Sequence, residues 1–342
     1  MPNDVLTRAI DAVCSGNHLT ADHASAALDE IMEGRSGEVQ TAAFLVALRA
    51  KGETVAEIVG LARTMRRLAA GVEPSRDDLV DTAGTGGGPS TFNISTAAAF
   101  VAAGAGCAVA KHGNRSATSR SGSADLLEAL GVTIELGPDE VARCIDEVGF
   151  GFMFAPRHHA AMRHVAPVRK ELAVRTIFNF LGPLTNPAGA TRQLLGVSDR
   201  RYQETIAEAL VALGCERALV VCADDGVDEV AVTDRTRIVE VEEGRTEEWF
   251  LEPEELGLAR PGIEEIAGGS PADNASVVGR VLAGAEGAAR DVVVLNAAAA
   301  ILVAGRVDDL ADGIERAREA IDSGAAQRVL AALVEVSAGL AS

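Results

Sequence analysis

Residues Leu79-Val80-Asp81-Thr82-Ala83-Gly84-Thr85-Gly86-Gly87-Gly88-Pro89 read as a short apolar strand, Leu79 to Thr82, that runs into a glycine loop. Thr91, Asn93, Ser95 and Thr96 then lead into the helical run Ala97-Ala98-Ala99-Phe100-Val101-Ala102. The alternation repeats, with a strand over Cys107 to Ala110 and a helix from Ser123 or Ala124. An amphipathic helix over Tyr202 to Leu213 precedes a further buried strand at Ala218 to Cys222, and helices near 291–304, 308–322 and 325–339 close the chain. Strands alternating with helices predict an α/β fold with a parallel sheet.

Upstream of Asp78 there is no strand pattern. Apolar residues recur at helical spacing in Leu6, Ile10 and Val13, in Ala24, Leu28 and Ile31, and in Val55, Ile58, Ala62, Met65 and Leu68, which predicts four short helices. Thr54-Val55-Ala56-Glu57 is a capping box ahead of the last one. The expected division is therefore a helical domain over 1–75 and an α/β domain over 76–342. Arg157 to Pro187 holds three prolines and no strand pattern, so a return segment near 165–190 is expected to cross back to the helical domain or to line the cleft.

The 342 residues are 48% hydrophobic and 24% charged, an ordinary globular composition with a core of Ala, Val and Leu. Fifty acids against 31 bases give a net charge of -19, which disfavours nucleic acid and anionic membranes as partners. Five widely spaced cysteines without a C-x-x-C pair indicate neither a disulfide framework nor a zinc knuckle. Met1-Pro2-Asn3-Asp4 has no basic region followed by an apolar stretch, so no signal peptide is expected, and the apolar run Ala97 to Ala110 is short of the roughly 20 residues that span a bilayer. A cytoplasmic protein is expected.

In so acidic a chain, the distribution of acids is informative. None occurs from Thr82 to Ala124, where an even spread would place about six, and the stretch carries Lys111, His112, Arg115 and Arg120. None occurs from Val148 to Lys170, which holds Arg157, Arg163, Arg169 and Lys170 with His158, His159 and His164. Two such regions are most simply the walls of one anion-binding cleft. The glycine loop is not a dinucleotide fingerprint, because its third glycine position is Pro89, nor a P-loop, because no Gly-Lys-Ser/Thr follows. With Ser95 or Thr96 as N-cap, the following helix would aim its free amides at a phosphate held in the loop.

Lys111-His112-Gly113-Asn114-Arg115-Ser116 is read as beginning directly after its strand, at the carboxyl end where α/β sheets bind ligands. Lys111, Ser119 and Ser123 offer charge and hydroxyl donors to phosphate oxygens. Asp224-Asp225-Gly226-Val227-Asp228-Glu229 follows the strand at Ala218 to Cys222, and adjacent carboxylates in that place suit Mg2+ beside a phosphate site. The histidine pair and His164 read as cleft-lining or packed residues rather than metal ligands.

Gly84-Thr85-Gly86-Gly87, Asn93-Ile94-Ser95-Thr96, Lys111-His112-Gly113-Asn114-Arg115, Ser121-Gly122-Ser123-Ala124-Asp125, Arg163-His164, Pro167-Val168-Arg169, Phe178-Asn179, Leu181-Gly182-Pro183-Leu184-Thr185-Asn186-Pro187 and Asp228-Glu229 together resemble the anthranilate phosphoribosyltransferase family. The likeness runs to the Asn296-Ala297-Ala298 helix, with the motifs in order and spacing. It implies the fold shared with pyrimidine-nucleoside phosphorylases: a small all-helical domain, a larger α/β domain, and an active site in the hinge cleft. It also implies a Mg2+-dependent homodimeric pentosyltransferase of tryptophan biosynthesis.

Carried onto this sequence, the resemblance places phosphoribosyl pyrophosphate on Gly84, Gly87, Gly88, Thr91, Asn93, Ile94, Ser95, Thr96, Lys111, Gly113, Arg115, Ser119 and Ser123. It places Mg2+ on Ser95, Asp228 and Glu229, and anthranilate on Asn114 and Arg169. Lys111, His112 and Arg169 are the expected catalytic residues. The family usually has Asp after Gly-Thr-Gly-Gly and a loop one residue longer, where this chain has Gly88-Pro89. Two other readings compete: a nucleoside phosphorylase with phosphate as nucleophile, and a non-catalytic relative that binds nucleic acid. Arg169 beside Asn114 points to a carboxylated aromatic instead of the first, and the net charge with the Asp228-Glu229 pair stands against the second.

Overall fold

The computed structural model describes residues 2–116 and 120–341. Four helices open the chain: α1 (Asp4–Cys14), α2 (Ala21–Met32), α3 (Glu38–Lys51) and α4 (Val55–Leu68). Local sequence sets their ends. The Asn3 side chain accepts hydrogen bonds from the Val5 and Leu6 amides at 3.0 and 3.1 Å, and the Thr54/Glu57 capping box forms as the sequence predicts.

The α/β region follows in the order β1 (Leu79–Gly84), α5 (Ile94–Gly104), β2 (Ala108–Gly113), α6 (Ser123–Ala129), α7 (Pro138–Val148), β3 (Phe150–Phe154). Three short helices come next, α8 (Ala155–His158), α9 (Ala166–Leu172) and α10 (Phe178–Leu181). Then come β4 (Arg192–Gly196), α11 (Gln203–Ala212), β5 (Arg217–Ala223), β6 (Thr236–Glu242), β7 (Arg245–Leu251), α12 (Pro271–Leu282), α13 (Ala288–Val303), α14 (Leu310–Asp322) and α15 (Ala325–Leu340).

The sheet order is β3-β2-β1-β4-β5-β6-β7. The first five strands are parallel as expected, but β6 and β7 pair antiparallel, so the sheet is mixed. β6 reverses against β5 across the 224–235 connection, which holds no helix to carry the chain over the sheet and bring it back parallel, and β7 reverses against β6 through a two-residue hairpin turn in which Glu243 and Gly244 both have positive φ, 49° and 74°.

Both faces of the sheet are covered. On β5, Leu219 and Val221 enter one core with α5 and α13, while Ala218 and Val220 enter the other, as the two-residue period requires. The first core is alanine-rich because α5 and α13 lie close together on the sheet, Ala97 to Ala99 and Ala297 to Ala300 being fully buried. The second core joins α1–α4 to α11 and to Val165, Val168, Ile177, Phe178, Phe180, Leu181 and Leu184. The 157–187 stretch therefore both packs against the helical bundle and lines the cleft.

Candidate active site

After β1 the chain goes outward through β2 and β3 and then returns to place β4 on the other side of β1. The carboxyl ends of β1 and β4 therefore diverge at a topological switch point, the place where open α/β sheets bind ligands. The glycine loop leaves β1 here and is held from three directions. Gly86 N–H donates to Asp228 Oδ2 at 2.8 Å, Ser198 Oγ donates to Gly86 O at 2.7 Å, and the Arg175 guanidinium donates to Gly86 O and Thr85 O at 2.7 and 3.2 Å. Gly87, at φ 98°, leaves room for the Arg175 head. Gly88 packs on the Gly226 carbonyl so closely that a Cβ would collide with it, so the short loop has no space for the aspartate usual in the family.

Lys111 and His112 do not follow a strand; they are inside one. Lys111, His112 and Gly113 pair with Phe152, Met153 and Phe154 of β3, a partner strand that the sequence reading did not locate. Successive strand residues face opposite ways. Lys111, 2% exposed, sends its ammonium to Thr82 O, to Thr82 Oγ1 at 3.0 Å and to Ser95 Oγ at 3.4 Å. Burial lowers its pKa to about 8 against the opposing charges of Asp81 and Glu229. His112 faces Gly182, whose carbonyl shares a 3.1 Å hydrogen bond with Nδ1. A carbonyl can only accept, so Nδ1 carries the proton, and Nε2 is an acceptor with no protein partner. Burial and the neighbouring His159, with ring centroids 5.0 Å apart, push the His112 pKa down to about 3.

Of the acids after β5, Asp224 is taken by Arg200 and Arg235, and Asp225 accepts from Val227 N and Thr233 Oγ1. Asp228 and Glu229 are the two that face the cleft. Each residue keeps some surface, but the Glu229 Oε2 is shut off from solvent with no hydrogen-bond partner. Burial, and then Asp228, raise the Glu229 pKa well above its usual value; burial raises Asp228. Val230 N donates to Asn296 Oδ1 at 3.0 Å, and Asn296 Nδ2 returns a bond to Val230 O at 2.8 Å, which fixes the turn carrying both carboxylates. An orphaned carboxylate oxygen, with a second carboxylate on the preceding residue and the Ser95 hydroxyl in the same cleft, is a hard, oxygen-only donor set that fits Mg2+. No cluster of three or more His, Cys, Asp or Glu occurs among the described residues, so other oxygens would have to complete the coordination.

The cleft, about 1140 Å³, continues to a second wall built from the 155–185 stretch. Arg169 lies over the Phe178 ring at 5.4 Å and, among the described residues, meets no carboxylate. Burial alone lowers its pKa; an unpaired, half-buried guanidinium is a socket for an anion. His159, with a pKa lowered to about 4 chiefly by burial, and Met65 of α4 also line the cleft.

Nearly all the expected residues meet in this cleft: Gly84, Gly87, Gly88, Thr91, Asn93, Ser95, Thr96, Lys111, His112, Gly113, Asn114, Arg115, Ser123, Arg169, Asp228 and Glu229. Ile94 does not, since its side chain is fully buried in the core. Ser119 lies outside the described residues. Arg115 is at the rim with its guanidinium engaged by Asp125 and Glu128. The helix N-cap is Asn93 rather than Ser95 or Thr96, and it makes no side-chain cap bond, because its amide is committed to Ser121 and Asn274. Sequence reading missed the parts of Arg175, Asn274 and Asn296, since each acts on a residue remote in sequence.

Comparison with known proteins agrees with this geometry. Residues 7–69 match the family described as Glycosyl transferase family, helical bundle domain, and residues 76–327 match Glycosyl transferase family, a/b domain. The chain is 54% identical to the anthranilate phosphoribosyltransferase of Rubrobacter xylanophilus, over 98% of this chain and 99% of that protein. A crystal structure of anthranilate phosphoribosyltransferase from Thermus thermophilus superposes with a TM-score of 0.91 at 46% identity, covering 96% of this chain and 99% of that one. The Saccharomyces cerevisiae enzyme in complex with PRPP and Mg superposes with a TM-score of 0.89 at 28% identity over 98% of each chain.

Proposed function

The chain belongs to the anthranilate phosphoribosyltransferase family, and from that premise we propose how its own residues carry the reaction. The enzyme transfers the phosphoribosyl group of phosphoribosyl pyrophosphate (PRPP) to the amine of anthranilate, giving N-(5-phosphoribosyl)anthranilate and pyrophosphate, a step of tryptophan biosynthesis. The observation that carries the assignment of roles is the division of one cleft into two chemistries. One wall has backbone amides, Lys111 and two carboxylates; the other has an unpaired guanidinium over an aromatic ring.

The glycine loop and the first turn of α5 bind the phosphates of PRPP, and Lys111, its ammonium turned onto Thr82 and Ser95, adds positive charge to that wall from behind. Asp228, Glu229 and Ser95 would hold Mg2+, which when bound supplies positive charge to the pyrophosphate as it departs. Arg169 forks onto the anthranilate carboxylate and Asn114 stands at the same subsite, which turns the amine toward the sugar. The amine nitrogen, uncharged near pH 7, forms the bond to the anomeric carbon as the bond from that carbon to pyrophosphate breaks. The nitrogen must then lose a proton. His112 Nε2, neutral and unpartnered, is the acceptor proposed for it; a weak base is enough, because an aryl amine that has just formed a new bond is strongly acidic. Most of the rate comes from placing two substrates together and from fixed charges around the leaving group.

The proposed domains are 1–75 with a return segment near 165–190, and 76–342. A cytoplasmic homodimer is the proposed state, to be checked by light scattering on the purified chain; among the described residues no helix is long and apolar enough to cross a membrane. The activity is tested by the loss of anthranilate fluorescence with PRPP and Mg2+, beside thymidine and uridine phosphorolysis. Anthranilate consumption dependent on both additions is expected; phosphorolysis without it would overturn the assignment.

A further inference from the structure

We propose that Asn274, at the N-terminal end of α12, is a positioning residue that orients the Asn93 amide and so fixes the two phosphate-binding loops to each other; this rests on the PRPP reading of the site. Asn274 is 2% exposed and 181 residues away from Asn93 in sequence. Four hydrogen bonds form a chain with one possible direction. Gly269 N–H donates to Asn274 Oδ1 at 2.7 Å, and Asn274 Nδ2 donates to Asn93 Oδ1 at 2.9 Å. Asn93 Nδ2 donates to Ser121 O at 3.1 Å, while Ser121 Oγ donates to Asn93 Oδ1 at 3.0 Å.

The ends of this chain are backbone groups whose roles cannot be exchanged: an N–H only donates and a carbonyl only accepts. Gly269 therefore decides which end of the Asn274 amide faces Asn93, and Asn274 in turn decides which end of Asn93 faces Ser121. Asn93 opens α5 behind the glycine loop, and Ser121 ends the loop that leaves Lys111 and His112. The surrounding backbone supports the same junction. Phe92 N donates to Ile266 O at 3.1 Å, Gly268 N donates to Ser90 O at 3.0 Å, and Thr91 bridges Ala267. The segment that carries Asn274 is thus docked against the exit of the glycine loop, with Asn274 as its polar tip.

Asn274→Asp tests this at constant volume. It keeps the acceptor for Gly269 N–H but sets an oxygen against Asn93 Oδ1, so the chain cannot close in either sense. The expected result is about a tenfold rise in KM for PRPP, the worth of one net hydrogen bond. KM for anthranilate should be unchanged, while the thermal midpoint falls no further than the loss of one buried hydrogen bond and the burial of one carboxylate require. In an Asn93→Ala background, Asn274→Asp should have no further effect on KM for PRPP, because the group it orients is gone. Asn274→Ala gives the same split should Asn274→Asp fail to fold. A wild type that consumes no anthranilate overturns both this inference and the parent reading. An active wild type with KM for PRPP unchanged in both Asn274 variants, or with both KM values moved together and a midpoint lowered beyond that limit, overturns this inference alone.

Discussion

Glu57 in the helical bundle and Glu229 in the cleft both keep carboxylate oxygens away from water, and the chain treats them in opposite ways. Glu57 is fully buried, yet it accepts from Leu19 N at 2.9 Å, Thr54 N at 2.8 Å, Thr54 Oγ1 at 2.9 Å and the Lys51 ammonium at 2.9 Å. Burial would raise its pKa, but these donors outweigh burial and lower it. Glu229 has an Oε2 with no donor, a second carboxylate beside it, and a pKa raised well above its usual value. A buried charge that is fully hydrogen-bonded belongs to the scaffold; one left incomplete is held ready for a group the protein does not itself provide.

The sharpest way to break this contrast is Glu229→Gln. If the incomplete carboxylate serves the reaction, kcat/KM falls by about three orders of magnitude, while the thermal midpoint stays level or rises because an unsatisfied charge has been removed. Normal turnover with a large loss of stability would make Glu229 a scaffold residue and erase the distinction. Glu57→Ala should show the reverse. It removes the carboxylate paired with the Lys51 ammonium, 6% exposed, leaving that charge only His18 Nδ1 and the Gly52 carbonyl, and should cost about 3 kcal/mol in urea unfolding, with kcat/KM of the folded enzyme within about twofold of wild type. A selective loss of turnover would refute that.

The smallest effect is in pH dependence, and its sign differs between the two residues. With its folded pKa below the ordinary 4.5, Glu57 contributes stability that is present above that value and is lost as pH falls through the folded pKa. Glu229, raised above 4.5, contributes most below the unfolded value and loses that contribution as pH rises through its folded pKa. Thermal midpoints from pH 4 to 8 should therefore show the Glu57→Gln deficit shrinking toward the acid end and any Glu229→Gln gain appearing only toward the neutral end, each amounting to about 1 kcal/mol or less. Parallel curves for the two variants would contradict the opposite shifts.

Much of this was legible from local chemistry. The capping box of Thr54 and Glu57, the helical spacing of the first seventy residues, the glycine loop and the acid-free stretches each depend on neighbours within a turn or two. So does the pairing of Lys111 and His112 in one motif. Their place inside β2 was not legible, because β3 is a five-residue strand, Phe150–Phe154, buried at every position. A fully buried short strand has no alternation to reveal it.

The sequence by itself determined which chemical groups are present and that they cluster: cations without acids, glycines before a helix, two adjacent carboxylates after a strand. Only the tertiary structure decided which of them are free to act. Strand pairing sends Lys111 and His112 to opposite faces, Arg200 and Arg235 occupy Asp224 but leave Asp228 and Glu229 to the cleft, and Asn274 reaches Asn93 across 181 residues. The physical reason is that hydrogen-bond satisfaction is a property of partners, and for buried polar groups those partners are supplied by chain segments that meet only after folding.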